Sequence, residues 1–186
     1  MANTVTNVSA GKPNVNGAIY YGALTETAPT NAHSSLSAFT AVGYVSDSGL
    51  VNSNSMSTTD IKAWGGDTVL NIQESKDDKF TFTLIEVLNA DVLKAVYGSA
   101  NVSGSLGNNL TVQANSDEPD ELMWVIDMVM RGGVLKRIVI PDAKISEIGD
   151  ISYTDTDAVG YEITLTCFPD STGNTHYEYF EEESES

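Results

Sequence analysis

Few side chains in these 186 residues could carry chemistry. His33 and His176 are the only histidines and Cys167 the only cysteine, and acid–base or nucleophilic catalysis usually needs such a group beside a partner that tunes it. His33 falls in a Thr/Ser/Ala-rich stretch that reads as loop, far along the chain from His176, and the pair reads as incidental. Cys167 lies beside Leu165 on the apolar side of an alternating segment, so it reads as a small packed hydrophobe rather than a reactive thiol. A lone cysteine excludes an intrachain disulfide and a thiolate zinc cluster. Asp117, Glu118, Asp120 and Glu121 form the densest internal acid cluster, but Pro119 interrupts it and the spacing of a calcium loop is missing. It reads as a solvated connection between strands. No nucleophile elbow, phosphate-binding glycine loop or paired-histidine zinc motif occurs. Gly65 and Gly66 follow a loop and precede a strand, the wrong order for cradling phosphate, and read as a turn. The expectation is a protein that is not an enzyme, with no catalytic, cofactor or metal residues.

The elements that would position any site are mostly strands. Val159, Tyr161, Ile163, Leu165 and Cys167 alternate with Gly160, Glu162, Thr164 and Thr166, the period of a half-buried strand. Phe80, Phe82 and Leu84 alternate with Lys79, Thr81 and Thr83. Before them Thr68, Leu70 and Ile72 alternate with Val69, Asn71 and Gln73, and the polar run Ser75 to Asp78 between the two predicts a hairpin turn. Leu122, Trp124, Ile126 and Met128 mark one face of a further strand, with Met123, Val125 and Asp127 on the other. Arg131, Gly132 and Gly133 then turn the chain into a strand from Leu135 to Ile140. A single helix is predicted, with Asn89 as N-cap, Leu88, Val92 and Val96 at four-residue spacing, and Gly98 as its stop. The stretch from Val51 to Gly66, rich in Ser, Thr and Asn, reads as an unusually long loop carrying Met56, Ile61 and Trp64. Trp124 is expected in the core, and Trp64 is either an exposed contact residue or an anchor on its own domain.

Composition narrows the classes further. Hydrophobic residues at 41% indicate a chain that folds, and the length suits one domain, residues 1–180, followed by an acidic disordered tail, residues 181–186. Twenty-six acidic against nine basic residues give a formal net charge of -17, which disfavours phosphate neutralisation and binding to anionic membranes. No signal-like start and no membrane-length apolar run are seen, so no membrane partner is expected.

Five stretches, taken together, carry a resemblance. They are NVSAGKPNVNGAIYYG from Asn7, GYVSDSGL from Gly43, the run from Ile61 to Gly98, RGGVLKRIVIPDAKISEIGDI from Arg131, and GYEITLTCFPDSTGNTHYEY from Gly160. In this order the chain resembles the major tail proteins of long-tailed, non-contractile phages of Gram-positive bacteria. The resemblance implies a mainly β tail-tube fold, a β-sandwich or partial barrel of two packed sheets with one flanking helix. It also implies a structural virion protein whose hexameric rings stack into the tail tube, the conduit for genome delivery. Its partners would be copies of itself, a tape-measure protein, tail terminator and distal tail proteins, and DNA passing without specific binding. Its location would be the virion tail, after assembly from the host cytoplasm. Residues Asn54, Met56, Ile61 and Trp64 become candidates for ring stacking, and Asn71, Gln73, Thr81, Thr83, Thr164 and Thr166 for the lumen. The chain's end after Phe180 suggests no additional immunoglobulin-like domain. The competing readings are a contractile-tail or type VI secretion tube protein, which would share the fold, and a β-sandwich binding module on a virion surface.

Overall fold

The computed structural model describes residues 3–14 and 18–182. Its elements run β1 (Lys12–Pro13), β2 (Ile19–Gly22), β3 (Thr40–Ala41), β4 (Val45–Lys62), β5 (Thr68–Leu84), α1 (Ala90–Tyr97), β6 (Val102–Ser105), β7 (Asn108–Val112), β8 (Glu121–Val129), β9 (Val134–Ile148), β10 (Tyr161–Cys167) and β11 (Tyr177–Glu182). Nine strands form one antiparallel sheet in the order β3-β2-β8-β9-β10-β5-β4, with β1 also on β8 and β11 also on β9; β6 and β7 form a separate hairpin.

The sheet rolls onto itself. In strand order β5 and β8 are separated by β10 and β9, yet the rings of Phe82 and Trp124 lie 6.0 Å apart. The two layers expected from the sequence are therefore opposite halves of one sheet, a partial barrel. Phe80, Phe82 and Leu84 from β5 meet Ile163 and Leu165 from β10, and Trp124 and Ile126 from β8, in one buried cluster. Each such side chain contributes about 1.5–3 kcal/mol by leaving water. Helix α1 closes this core with Val92, Leu93, Ala95 and Val96. Asn89 caps it by accepting from the Asp91 N–H at 3.0 Å, and Gly98 ends it at φ 88°. Leu88, expected on its apolar face, lies before the helix and is exposed.

Strand β8 is buried on both faces. Trp124 and Ile126 face the core, while Met123, Val125 and Asp127 are buried on the other side. There Arg137, opposite Asp127 in the β8–β9 ladder, grips both carboxylate oxygens at 2.7 Å. Its remaining nitrogen donates to the carbonyls of Asn31 and Ser34, which ties the irregular segment of residues 23–39 across this face.

Three sequence expectations are corrected. The hairpin turn predicted at Ser75 to Asp78 is absent, because β5 runs unbroken from Thr68 to Leu84. The long loop from Val51 to Gly66 is instead the greater part of β4 and the turn that follows it. Apolar alternation marks a strand only where one face is buried, and from Val51 to Asp77 neither face of this ribbon is. Finally, Glu181 and Glu182 do not belong to a disordered tail: they extend β11, pair with Leu135 and Val134, and Glu181 accepts from the Ala32 N–H at 3.1 Å. Residues 183–186 of that tail lie outside the described residues.

Candidate functional site

The most unusual feature of the structure is a two-stranded arm. Strand β5 pairs with β10 only from Lys79 to Leu84, whereas β4 pairs with β5 out to Lys62 and Thr68. The ten residues from Ser53 to Lys62, at about 3.3 Å each, carry the arm about 33 Å beyond the rolled sheet. Its end is the turn of residues 63–67, closed by the Ala63 N–H on the Asp67 carbonyl at 2.8 Å, with Gly65 and Gly66 at φ 119° and 103°. Positive φ at both positions is what glycine permits, so the expected glycine turn is found, at the tip of a much longer hairpin.

Of the sixteen exposed large apolar side chains among the described residues, six lie on this arm: Met56, Ile61, Trp64, Val69, Leu70 and Ile72. Trp64 stands at the tip, fully exposed, while Trp124 is buried in the core. An isolated two-stranded ribbon is marginally stable in water, so an arm that presents apolar side chains calls for a covering surface.

Register sorts the candidate residues. One pairing face of the outer arm holds Ile61 opposite Leu70 and Thr59 opposite Ile72; the other holds Asp60 opposite Asn71 and Thr58 opposite Gln73. Hydrogen bonds agree, with Asn71 donating to Asp60 at 2.7 Å and Thr59 reaching Glu74 at 2.6 Å. Sequence alternation alone puts Asn71 and Gln73 on the same face as Thr81 and Thr83. The register shift at Ser57/Thr58 inserts Glu74 into β5, and that one extra residue reverses every side chain beyond it. Asn71 and Gln73 thus lie on the ribbon face opposite Thr81 and Thr83. Asn54 and Met56 are likewise on the face opposite Ile61.

The four threonines stay together. Thr81 and Thr164 are cross-strand partners whose hydroxyls lie 3.0 Å apart, and Thr166 donates to Ser146 at 2.8 Å. Thr83 is opposite Glu162, Thr164 is opposite Glu147, and Thr166 stands between Lys79 and Lys144. This outward face is polar, with both charge signs present, rather than strongly acidic.

The groups that could do chemistry are engaged elsewhere. His33 lies 3.5 Å from Glu181, and His176 holds Asp78 through Nδ1 at 2.5 Å, so the two histidines serve different carboxylates. Burial, with a smaller effect of the Asp78 charge, pushes the Cys167 thiol up to about 12, consistent with a packing role. Among the expected acid cluster, Glu118 pairs with Lys144 and Asp117 accepts from Asn115, both at the surface. No group of three His, Cys, Asp or Glu side chains able to hold a metal ion occurs among the described residues. A groove of about 770 Å³ follows the unclosed seam of the roll, where Ala18, Ile19, Ile126 and Met128 face Val45 and Leu50.

Two buried polar sites escaped the sequence reading. Asp127 is a lone charge within an apolar strand and Arg137 one of two adjacent cations at the start of the next, a signal that could have paired them. Asp78 was hidden, because its partners Asn52, Thr175 and His176 come from distant segments.

The family described as phage tail tube protein matches residues 5–186. Among solved structures, the tube-terminating cap of the anti-feeding prophage is similar at a TM-score of 0.44 and 10% identity, covering 97% of this chain and 100% of that one. No curated protein matches the chain.

Proposed function

The chain belongs to the phage tail tube protein family, and from that premise we propose that its copies close into hexameric rings that stack into the hollow tube through which the genome leaves the virion. As a member of that family it is a structural protein of the virion tail. The observation that carries the finer reading is the arm from Ser53 to Asp77, with its exposed apolar residues and no cover among the described residues.

Ring closure has a physical motive in the sheet. Among the described residues, the sheet order ends on β3 and β4, and a rolled sheet that stops short of closure leaves strand edges to be paired. Copies joined edge to edge satisfy those groups. The arm then makes a different kind of contact, between rings, through Ile61, Leu70, Ile72 and Trp64. A head-to-tail contact of that kind does not close and propagates a filament. The threonine face of β5 and β10 is assigned to the bore, where Thr81, Thr83 and Thr164 offer DNA neutral hydroxyls and the cations Lys79 and Lys144 are balanced by Glu147 and Glu162. The excess of acid, -17 overall, acts in the same direction.

A tape-measure protein within the bore, and terminator and distal tail proteins at its ends, complete this reading, with subunits waiting in the host cytoplasm. Electron microscopy of the purified chain across a concentration series tests it. Hollow filaments of stacked rings are expected. Compact monomers at every concentration and ionic strength would overturn it.

A further inference from the structure

The root of the arm contains a buried polar cluster that neither core packing nor solvation explains. Asp78 is the last buried residue of β5 before ten exposed ones, and its side chain is fully enclosed. One carboxylate oxygen accepts from Asn52 Nδ2 at 2.8 Å. The other accepts from the Thr175 hydroxyl at 2.6 Å and from His176 Nδ1 at 2.5 Å. The His176 ring in turn stands edge-on to Phe80, with centroids 5.3 Å apart, and this anchors the donor to the core. Three pieces of chain thus converge on one carboxylate: β4 through Asn52, β5 through Asp78, and the segment between β10 and β11 through Thr175 and His176.

Position gives this convergence its meaning. Beyond Lys79, β5 pairs with no strand but β4 among the described residues, so no further strand pairing fixes the direction in which the arm projects. The segment carrying Thr175 and His176 leads directly into β11, which is held by β9 in the body of the sheet. Asp78 therefore joins the free ribbon to the rigid sheet at the point where pairing with β10 stops. A ribbon about 33 Å long acts as a lever: a swing of about 10° at the root displaces Trp64 by about 6 Å, more than a side-chain contact tolerates. A buried carboxylate with all its donors in place is costly to disturb, since each donor left without it loses a charge-assisted bond.

We propose that Asp78, gripped by Asn52, Thr175 and His176, is a latch that fixes the direction of the arm and so decides whether its tip can engage a second copy of this chain. The second half rests on the reading of the arm as the contact between rings; the first half does not.

Spin labels at Thr58→Cys on the arm and Ser103→Cys on the body, with Cys167 buried and unreactive, report the direction by pulsed EPR distances. In the otherwise unaltered monomer a single narrow distance distribution is expected. Asp78→Ala should broaden it by about 3 Å for each 10° of added swing, since Thr58 stands about 20 Å from the root, leave the circular dichroism of the sheet unchanged, and abolish filaments in the unlabelled protein. Thr175→Val, a near-isosteric loss of one donor, should show a smaller broadening, and it is read by the same criteria if Asp78→Ala does not fold. An unchanged distribution in a folded variant overturns the latch. A broadened distribution with normal filaments overturns its role in assembly. If the unaltered protein forms filaments in which labels on the arm keep their free mobility, the ring-contact reading fails while the monomer distances still decide the latch.

Discussion

Replacing Trp64 with Ala separates a side chain kept for a partner from one kept for the fold. Its side chain is fully exposed, and the tip turn is closed by backbone bonds that do not use the indole. The monomer should therefore change stability by no more than about 0.5 kcal/mol, a shift of about 1–2 °C in Tm for a chain of this size. Between copies the arithmetic differs. Truncating an aromatic anchor buried at an interface costs about 2 kcal/mol or more, which raises the concentration needed for assembly about 30-fold. Sedimentation of filaments against total protein measures that threshold, and fluorescence supplies an internal check. Trp124 is already buried, so a blue shift on assembly belongs to Trp64 and should vanish in Trp64→Ala. An unchanged threshold, or a Tm lowered by many degrees, would refute the reasoning, the second because it would mean that Trp64 packs on its own chain.

Two further predictions concern the monomer. Arg137→Leu leaves the Asp127 carboxylate buried without its bidentate partner and should cost about 3–5 kcal/mol, whereas adding Asp127→Leu should recover much of that loss; thermal unfolding of the single and double variants decides. Acid unfolding should show opposed contributions from two carboxylates. Burial raises the Asp78 pKa, but the Thr175, Asn52 and His176 hydrogen bonds outweigh it, so the net shift is below 3.8. Its stabilising contribution is present above 3.8 and lost as the pH falls further, through the folded value. Asp142 is shifted upward by burial and by the Glu121 charge, so its contribution is present below 3.8 and lost as the pH rises through its folded value. Asp142→Asn should flatten the stability profile just above pH 3.8, and Asp78→Ala should flatten it below, both measured by urea unfolding across a pH series.

What could be read from the sequence follows from what each strand packs against. The alternation from Tyr161 to Cys167 was legible because one face of β10 is core and the other is not. The helix was legible because its cap and stop act within a few residues, at Asn89 and Gly98. Strand β8 was found, although burial on both faces blurs its alternation, because Arg131 to Gly133 punctuates its end. The β4 half of the arm defeats the same rules: a ribbon exposed on both faces in the monomer has no inside to alternate toward. Ser75 to Asp78 looked like a turn because four polar residues in succession are rare in a strand with a buried face. The inserted Glu74 was beyond reach for a different reason, since a bulge is defined by the partner strand and leaves no mark on its own.

The same physics separates side chains that the sequence groups together. Asn54, Met56, Ile61 and Trp64 were singled out as large or polar residues in an apparent loop, and all four do lie on the projecting element. A loop, however, would let the four side chains adapt to a partner independently. A ribbon commits them to opposite faces, with Asn54 and Met56 on one and Ile61 on the other. A single flat contact can therefore use Ile61 with Leu70 and Ile72, or Met56 with its neighbours, but not both at once. The apolar density favours the first. Ile61→Ser with Leu70→Ser should then impair filament formation far more than Met56→Ser, and equal effects in a sedimentation assay would mean that the arm is gripped from both sides.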